Sequence, residues 1–327
     1  MYNHNLLRFI ASLNTSFLWI LASILYSLYS SDKISLELVS KFMMRNLLIF
    51  SLLVTLFLFN NQFNFFPNMS FFGRSLYGYE WFDGGNTTRF YGFMEYANLM
   101  PTFFLICVPY LFYGKVDIKR FTILILSFAG VFLSNSRIGI IVCSVVLFLI
   151  GIYFITSRTK KREVAILIYL CCAAILLIIA IFYSKHLIEY IMLIINGRPG
   201  STNTRKQIYV SSLDLVINNS VVLGMGVKEL IGDYPLGSHS TFIGAFYRVG
   251  LIGLTIISSI FFTMIVKLYK AWKKRRNLFC FCSVVSFVGI TMVLFFEDLD
   301  GANWLICIFF SSFSAIINLK KDKFEIN

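Results

Sequence analysis

Residues 121–156 read FTILILSFAG VFLSNSRIGI IVCSVVLFLI GIYFIT, and Arg137 is the one charged residue among them. Two apolar runs, 121–135 and 138–156, are joined by little more than Ser136-Arg137. Runs of about 15 to 25 apolar residues match the helical path across a hydrocarbon core roughly 30 Å thick. In lipid, only a helix or a closed barrel satisfies every backbone polar group internally. The stretch therefore predicts two membrane-spanning helices closed by a tight hairpin with an arginine at its tip.

The rest of the chain repeats the pattern. It has 327 residues, 58% hydrophobic, 17% aromatic and 14% charged, with a mean hydropathy of +0.77. A soluble chain averages about 45–50% apolar and about 25% charged. The expected fold is all-α, one polytopic membrane domain over 1–327. About nine spans are expected, at 6–29, 46–59, 90–113, 121–135, 138–156, 164–183, 241–266, 278–296 and 304–319. No fixed-period internal repeat suggests an inverted-repeat transporter.

A net charge of +13 raises the question of nucleic acid. The placement of the charges answers it. Lys115, Lys119 and Arg120 form one short cluster between apolar runs, and Arg158, Lys160, Lys161 and Arg162 form a second. Lys267, Lys270, Lys273, Lys274, Arg275 and Arg276 form a third, and Lys320, Lys321 and Lys323 a fourth. By the positive-inside rule these segments are cytoplasmic, so the charge orients the protein and no nucleic-acid partner is expected. The amino terminus is then expected outside and the carboxyl terminus inside. All seven cysteines lie in apolar runs and read as small apolar filler, not as disulfides or zinc ligands. No cleavable signal peptide is expected, because the first apolar run continues into Tyr26 to Tyr29.

Two connections are expected outside. The first, 60–89, carries Arg74, Tyr77, Tyr79, Trp81 and Asp83. The second, 184–239, is roughly 55 residues long, and loops of that length are usually functional. On this face or at its membrane edge fall Arg74, Arg89, Arg137, Arg198, Arg205 and Arg248. That is many guanidiniums for a face expected to be poor in them. Arginine presents a planar fork of donors that fits phosphate or carboxylate, and a charge at the edge of a span needs a partner or a polar cavity. Arg74 and Arg198 read as solvated loop charges, Arg137 as a snorkelling tip or a ligand-binding group, and Arg248 as a partner for Glu95 or the acidic turn, or again a binding group. Glu297, Asp298 and Asp300 read as arginine partners or a solvated cap ahead of a cation site. His239, where the large loop re-enters the membrane, is the candidate proton acceptor; His4 and His186 read as solvated.

Arg89-Phe-Tyr-Gly92 with Asn98, Ser136-Arg137, Arg205 opening an amphipathic stretch, Leu223-Gly-Met-Gly226, and Gly237-Ser-His239 followed by Gly250-Leu-Ile-Gly253 occur in that order. The ordered set resembles the O-antigen ligase and polymerase superfamily of bacterial membrane glycosyltransferases, over roughly 24–319. The sequence departs from that pattern in having Tyr209 where tryptophan often sits, Ser240 where asparagine is common and a shorter amino end. The resemblance implies an undecaprenyl-pyrophosphate-linked oligosaccharide as donor, a glycan acceptor, and a plasma-membrane site working beside other polysaccharide assembly proteins. It further implies that Arg89, Arg137, Arg205 and Arg248 bind the donor pyrophosphate and that His239 activates the acceptor hydroxyl. No metal or cofactor is expected, since guanidiniums would carry the charge role. Three activities fit: a repeat-unit polymerase, which is favoured; a ligase moving the glycan to a different acceptor; and, from another class, a flippase for lipid-linked glycan.

Overall fold

The computed structural model describes residues 17, 20–28, 36–63, 70–71, 74–79, 88–114, 116–158, 199–226, 229–232, 234–299 and 303–317. Expected span 164–183, the second basic cluster beyond Arg158, Arg198, His4, His186, Trp81, Asp83, Asp300 and the lysines at 320–323 lie outside these residues.

The described chain is mostly helix. Helix α1 spans Leu36–Phe63, α2 Met100–Leu111, α3 Ile118–Leu133 and α4 Arg137–Arg158. Helix α5 spans Pro199–Asn219, α6 Thr241–Arg275, α7 Leu278–Leu294 and α8 Asn303–Ile317. Residues 20–28 are also helical. Among the described residues, 36–60, 137–157 and 241–275 are long and apolar enough to cross a membrane, and shorter apolar helices occur at 97–111, 278–294 and 304–317. The chain is thus a helical membrane protein, and the structure alters several expected boundaries.

Of the segment left between the first two expected spans, 30–45, residues 36–45 are the first turns of α1. Its charges do not stop the helix, because Glu37 and Lys41 sit one turn apart and pair at 2.6 Å. The span expected to start at Phe90 starts at Met100. Tyr77–Tyr79 (β1) instead pairs antiparallel with Thr88–Phe90 (β2), with Gly78 opposite Arg89. Tyr91 and Gly92 both donate their N–H to the Leu76 carbonyl. Gly92 has φ +56°, and Pro101, which lacks an N–H, stands in the first turn of α2 where none is needed. More than a third of the expected loop 184–239 is helix, α5.

α3 and α4 form the expected hairpin, turned at Ser134–Ser136. Asn135 takes the left-handed conformation at φ 54° that asparagine tolerates. Gly139 lets α4 approach α2 closely, since a Cβ there would stand 2.0 Å from the Pro101 ring. Behind the hairpin the core is aromatic: Phe50, Phe90 and Phe103 are fully buried and packed with Phe93, and Phe261, Phe287, Phe309 and Phe313 form a second group.

Chain direction sorts the charges. The starts of α4, α6 and α8 and the ends of α3 and α7 gather at one end of the bundle. Lys119, Arg120 and Lys273 to Arg276 lie at the other, where Tyr153 donates to the Arg276 carbonyl at 3.0 Å and Lys267 donates to Tyr26 at 3.0 Å.

Candidate functional site

The site lies at the end opposite the basic clusters, and the α7–α8 turn organises it. Helix α6 begins there with Ser240, whose hydroxyl accepts from the Ile243 N–H. The backbone at His239 has φ 62°, an uncommon conformation for a non-glycine residue. It is held from two sides. Asp298 Oδ2 accepts the His239 N–H and Oδ1 the Ser240 N–H, each at 3.0 Å. Tyr209 of α5 donates its hydroxyl to the His239 carbonyl at 2.5 Å. A carboxylate at a helix N-terminus also suits the dipole of α6. Thr241 adds a lock, donating from N–H and hydroxyl to the Glu297 carbonyl while its hydroxyl accepts the Leu299 N–H.

Arg205, one turn before Tyr209 on α5, reaches the same turn. Its Nη2 donates to Glu297 Oε1 at 2.8 Å and its Nη1 to the Phe296 carbonyl at 3.1 Å. Glu297 is 4% exposed, and its Oε2 is buried with no hydrogen-bond partner among the described residues. Burial pushes the Glu297 carboxyl up to about 7, against the pull of Arg205 and, more weakly, Arg89. Burial likewise pushes the Tyr209 phenol up to about 12 despite the Arg205 charge, keeping it a donor.

Arg89 comes from β2. Its Nε donates to the Ser134 carbonyl at 2.9 Å and its Nη2 to Asn98 Oδ1 at 2.5 Å, which ties the β1–β2 pair to the α3–α4 turn. Arg137 begins α4 three residues after Ser134, so the two arginines flank one turn. Tyr96 donates to the Asp298 carbonyl at 3.4 Å, and Trp304 donates to Glu95 at 3.1 Å. Among the expected partners of Arg248, Glu95 is thus held by Trp304.

Arg248 stands two turns into α6, its Nε donating to the Gly244 carbonyl at 3.2 Å. A Cβ on Gly244 would lie 3.5 Å from Arg248 Nη2 and 3.8 Å from Asp298 Oδ1. The Gly237 carbonyl oxygen would stand nearer still, at 2.7 Å, so the absent side chain lets the backbone ahead of His239, the Arg248 guanidinium and the Asp298 carboxylate all approach this turn of α6.

Immediately beyond, α6 breaks at Gly250, with φ 64° and ψ −155°. In an unbroken helix the N–H of Leu251 and Ile252 would bond the carbonyls of Tyr247 and Arg248. Here Leu251 and Ile252 donate instead to Val221 and Val222, at 2.9 and 3.4 Å, while the Tyr247 and Arg248 carbonyls accept from Met225 and Gly226, at 2.8 and 3.0 Å. Two helical bonds are replaced by four to the segment 221–226, so the N–H groups of Leu251 and Ile252 and the carbonyls of Tyr247 and Arg248 all stay paired, as apolar surroundings require. The approach is backbone to backbone. A Cβ on Gly224 would stand 2.5 Å from Gly250 N, and one on Gly250 would stand 2.3 Å from the Val222 carbonyl oxygen. This is why glycine stands at 224 and 250; Gly226 has open space around it and is suited instead by its φ of +72°. A small satellite core of Val216, Leu236 and Tyr247, with Leu215, Met225 and Phe246 against it, holds α5 on this half of α6.

Of the five residues singled out from sequence, Arg205, His239 and Arg248 converge on the Glu297–Asp298 turn. The charge of Arg89 is felt at Glu297, and Arg137 lies beside Arg89 through the α3–α4 turn. Glu297 is an arginine partner, as expected, and its arginine is Arg205; Asp298 holds the backbone of His239 and Ser240. The acidic cluster ending an apolar run was the available signal. The grip of Tyr209 on the His239 carbonyl has no sequence signal.

Fold and site together define a multi-span helical membrane protein with an arginine- and histidine-bearing site at one end of its bundle. Residues 122–258 match the family model described as O-antigen ligase, and this bears out the resemblance to the O-antigen ligase and polymerase superfamily. The match runs from α3 through the Gly250 break, and it supports surface-polysaccharide biosynthesis of the ligase or polymerase kind. No curated protein matches the chain.

Proposed function

We propose that the protein is a glycosyltransferase on the external face of the bacterial plasma membrane that transfers a glycan from undecaprenyl pyrophosphate to a hydroxyl of another lipid-linked repeat unit, a polymerase. The observation that carries the reading is the convergence of His239, Arg205 and Arg248 on one acidic turn. His239 takes the proton of the acceptor hydroxyl as its oxygen attacks the anomeric carbon. The bond from that carbon to the pyrophosphate oxygen breaks, and the leaving group departs with the electron pair. Arg89, Arg137, Arg205 and Arg248 neutralise the charge growing on it, the role that fixed cations play in phosphate departure. Asp298 and Tyr209 position the histidine through its main chain.

The orientation follows from the charges. Basic clusters at the far end of the bundle are assigned to the cytoplasm, together with the carboxyl terminus, and the site end to the outside. The segments 60–89 and 184–239 are then external, within one membrane domain over 1–327.

His239→Gln keeps hydrogen bonding but cannot shuttle a proton near neutral pH. Transfer from a defined lipid-linked repeat unit should fall about 100- to 10,000-fold, with lipid-pyrophosphate binding retained. Near-normal transfer by this variant would remove the base role. Glycan joined only to a chemically different acceptor would make the enzyme a ligase, and lipid translocation with no glycan product would make it a carrier.

A further inference from the structure

A second feature lies away from this site, near the basic end. Between the 20–28 helix, the first half of α1 and α8 runs an apolar groove of about 440 Å³, lined by Leu25, Phe42, Ile308 and Ser311, with Lys41 and Arg45 on it. The two cations occupy successive turns of one face. Lys41 is already paired with Glu37 at 2.6 Å. Arg45 is exposed and has no hydrogen-bond or ion-pair partner among the described residues.

Its depth makes that costly. Arg45 lies nine residues into α1, about 13 Å along the axis at 1.5 Å per residue, inside the stretch 36–60 that is apolar enough to span. A cation at the lipid-facing side of a span is expensive and calls for an anion or an escape to the interface. Helical side chains tilt toward the helix N-terminus, which for α1 is the basic end. The guanidinium therefore leans along the groove toward Lys41 and the membrane surface. The level of that surface is marked nearby by Tyr26, which accepts from Lys267 and whose carbonyl accepts from Ser314.

We propose that this groove is a binding site for an anionic phospholipid of the leaflet on the basic side. One acyl chain lies against Leu25, Phe42 and Ile308, and the phosphate meets Arg45 and Lys41. Charge complementarity carries the choice of occupant. An acyl chain alone needs no cation, and basic pockets between spans on the cytoplasmic side are where acidic headgroups bind. The site is separate from the glycosyl-transfer reading and stands or falls without it.

The test is native mass spectrometry of the full-length protein released from vesicles of phosphatidylcholine containing a minority of phosphatidylglycerol, with a polyprenyl phosphate added in a parallel arm. The wild type should retain phosphatidylglycerol in preference to phosphatidylcholine. The double variant Lys41→Gln, Arg45→Gln should weaken that preference roughly tenfold or more, while Arg45→Lys should keep most of it. The pair Lys270→Gln, Lys274→Gln, on the same end but off the groove, should leave it unchanged. Melting temperatures of all variants report whether each is folded, and the single variant Arg45→Gln, which should lose most of the preference, carries the comparison if the double variant is not. Equal retention of both phospholipids, equal loss in the control pair, or retention of polyprenyl phosphate but not phosphatidylglycerol would overturn the proposal.

Discussion

Replacing Gly250 by alanine should do more damage than its chemistry suggests. At φ 64° and ψ −155° the residue sits in a region only glycine populates comfortably, and holding an alanine there costs about 1–3 kcal/mol. The new Cβ would also stand 2.3 Å from the Val222 carbonyl oxygen and 2.6 Å from Gly224 N, both backbone atoms with nowhere to rotate. If the helix straightens to escape, Leu251 and Ile252 recover their bonds to Tyr247 and Arg248. The segment 221–226 then loses all four of its bonds across the break. That is a net loss of two bonds, about 2 kcal/mol at about 1 kcal/mol each, so whether the strain is borne or escaped the cost is about 1–3 kcal/mol. That is a large share of a typical folding free energy. Gly151, also in a helix but with open space where its Cβ would go, supplies the control; alanine there should be neutral or mildly stabilising. The assay pairs thermal unfolding of both variants in detergent with limited proteolysis at 221–226. Gly250→Ala should melt clearly lower and become cleavable in that segment, and transfer should fall because Arg248 lies two residues before the break. If the two alanine variants melt together and resist protease equally, the exchange of backbone bonds does not hold this half of α6.

Three further outcomes are expected. Arg205→Lys keeps the charge but cannot reach Glu297 Oε1 and the Phe296 carbonyl together as a fork; donor use in the transfer assay should drop about tenfold or more, and an equal drop in Arg74→Lys would reduce the arginines to a diffuse positive field. Glu297 holds a proton up to about pH 7 when folded, against an ordinary value of 4.5, so between those limits the folded state binds more protons than the unfolded one and stability must decline as pH rises toward 7. The melting temperature should fall over that window in the wild type and level off in Glu297→Gln; a parallel slope in both would remove Glu297 as its source. Reporters fused after Lys161, Ser201 and Lys274 should place only the Ser201 fusion outside, and an internal Ser201 would refute the assigned active face.

What the sequence determined by itself was what depends on nearest neighbours along the chain. The apolar runs at 121–135, 138–156 and 278–296 became α3, α4 and α7 within a few residues, because a lipid-facing backbone must bond within its own helix. Ser136-Arg137 read as a hairpin and is one. The arginines and His239 stood out because charge is costly beside apolar spans. The sequence pattern did not decide boundaries set by pairing across the chain. Residues 90–92 look like the start of a span but, with 88 and 89, bond to 76–79, and Arg89 owes its position to that pairing. The large connection looks structureless by hydropathy, yet α5 is held by contacts from Tyr247 and Leu236 that lie about thirty or fewer residues away. Most of all, which arginine Glu297 pairs with, and the hold of Asp298 and Tyr209 on the His239 main chain, came from tertiary structure alone. A carboxylate that fixes a histidine 59 residues earlier in the chain, or a helix whose broken bonds are made good by a preceding loop, leaves no local pattern, since the groups that satisfy each other meet only when the chain has folded.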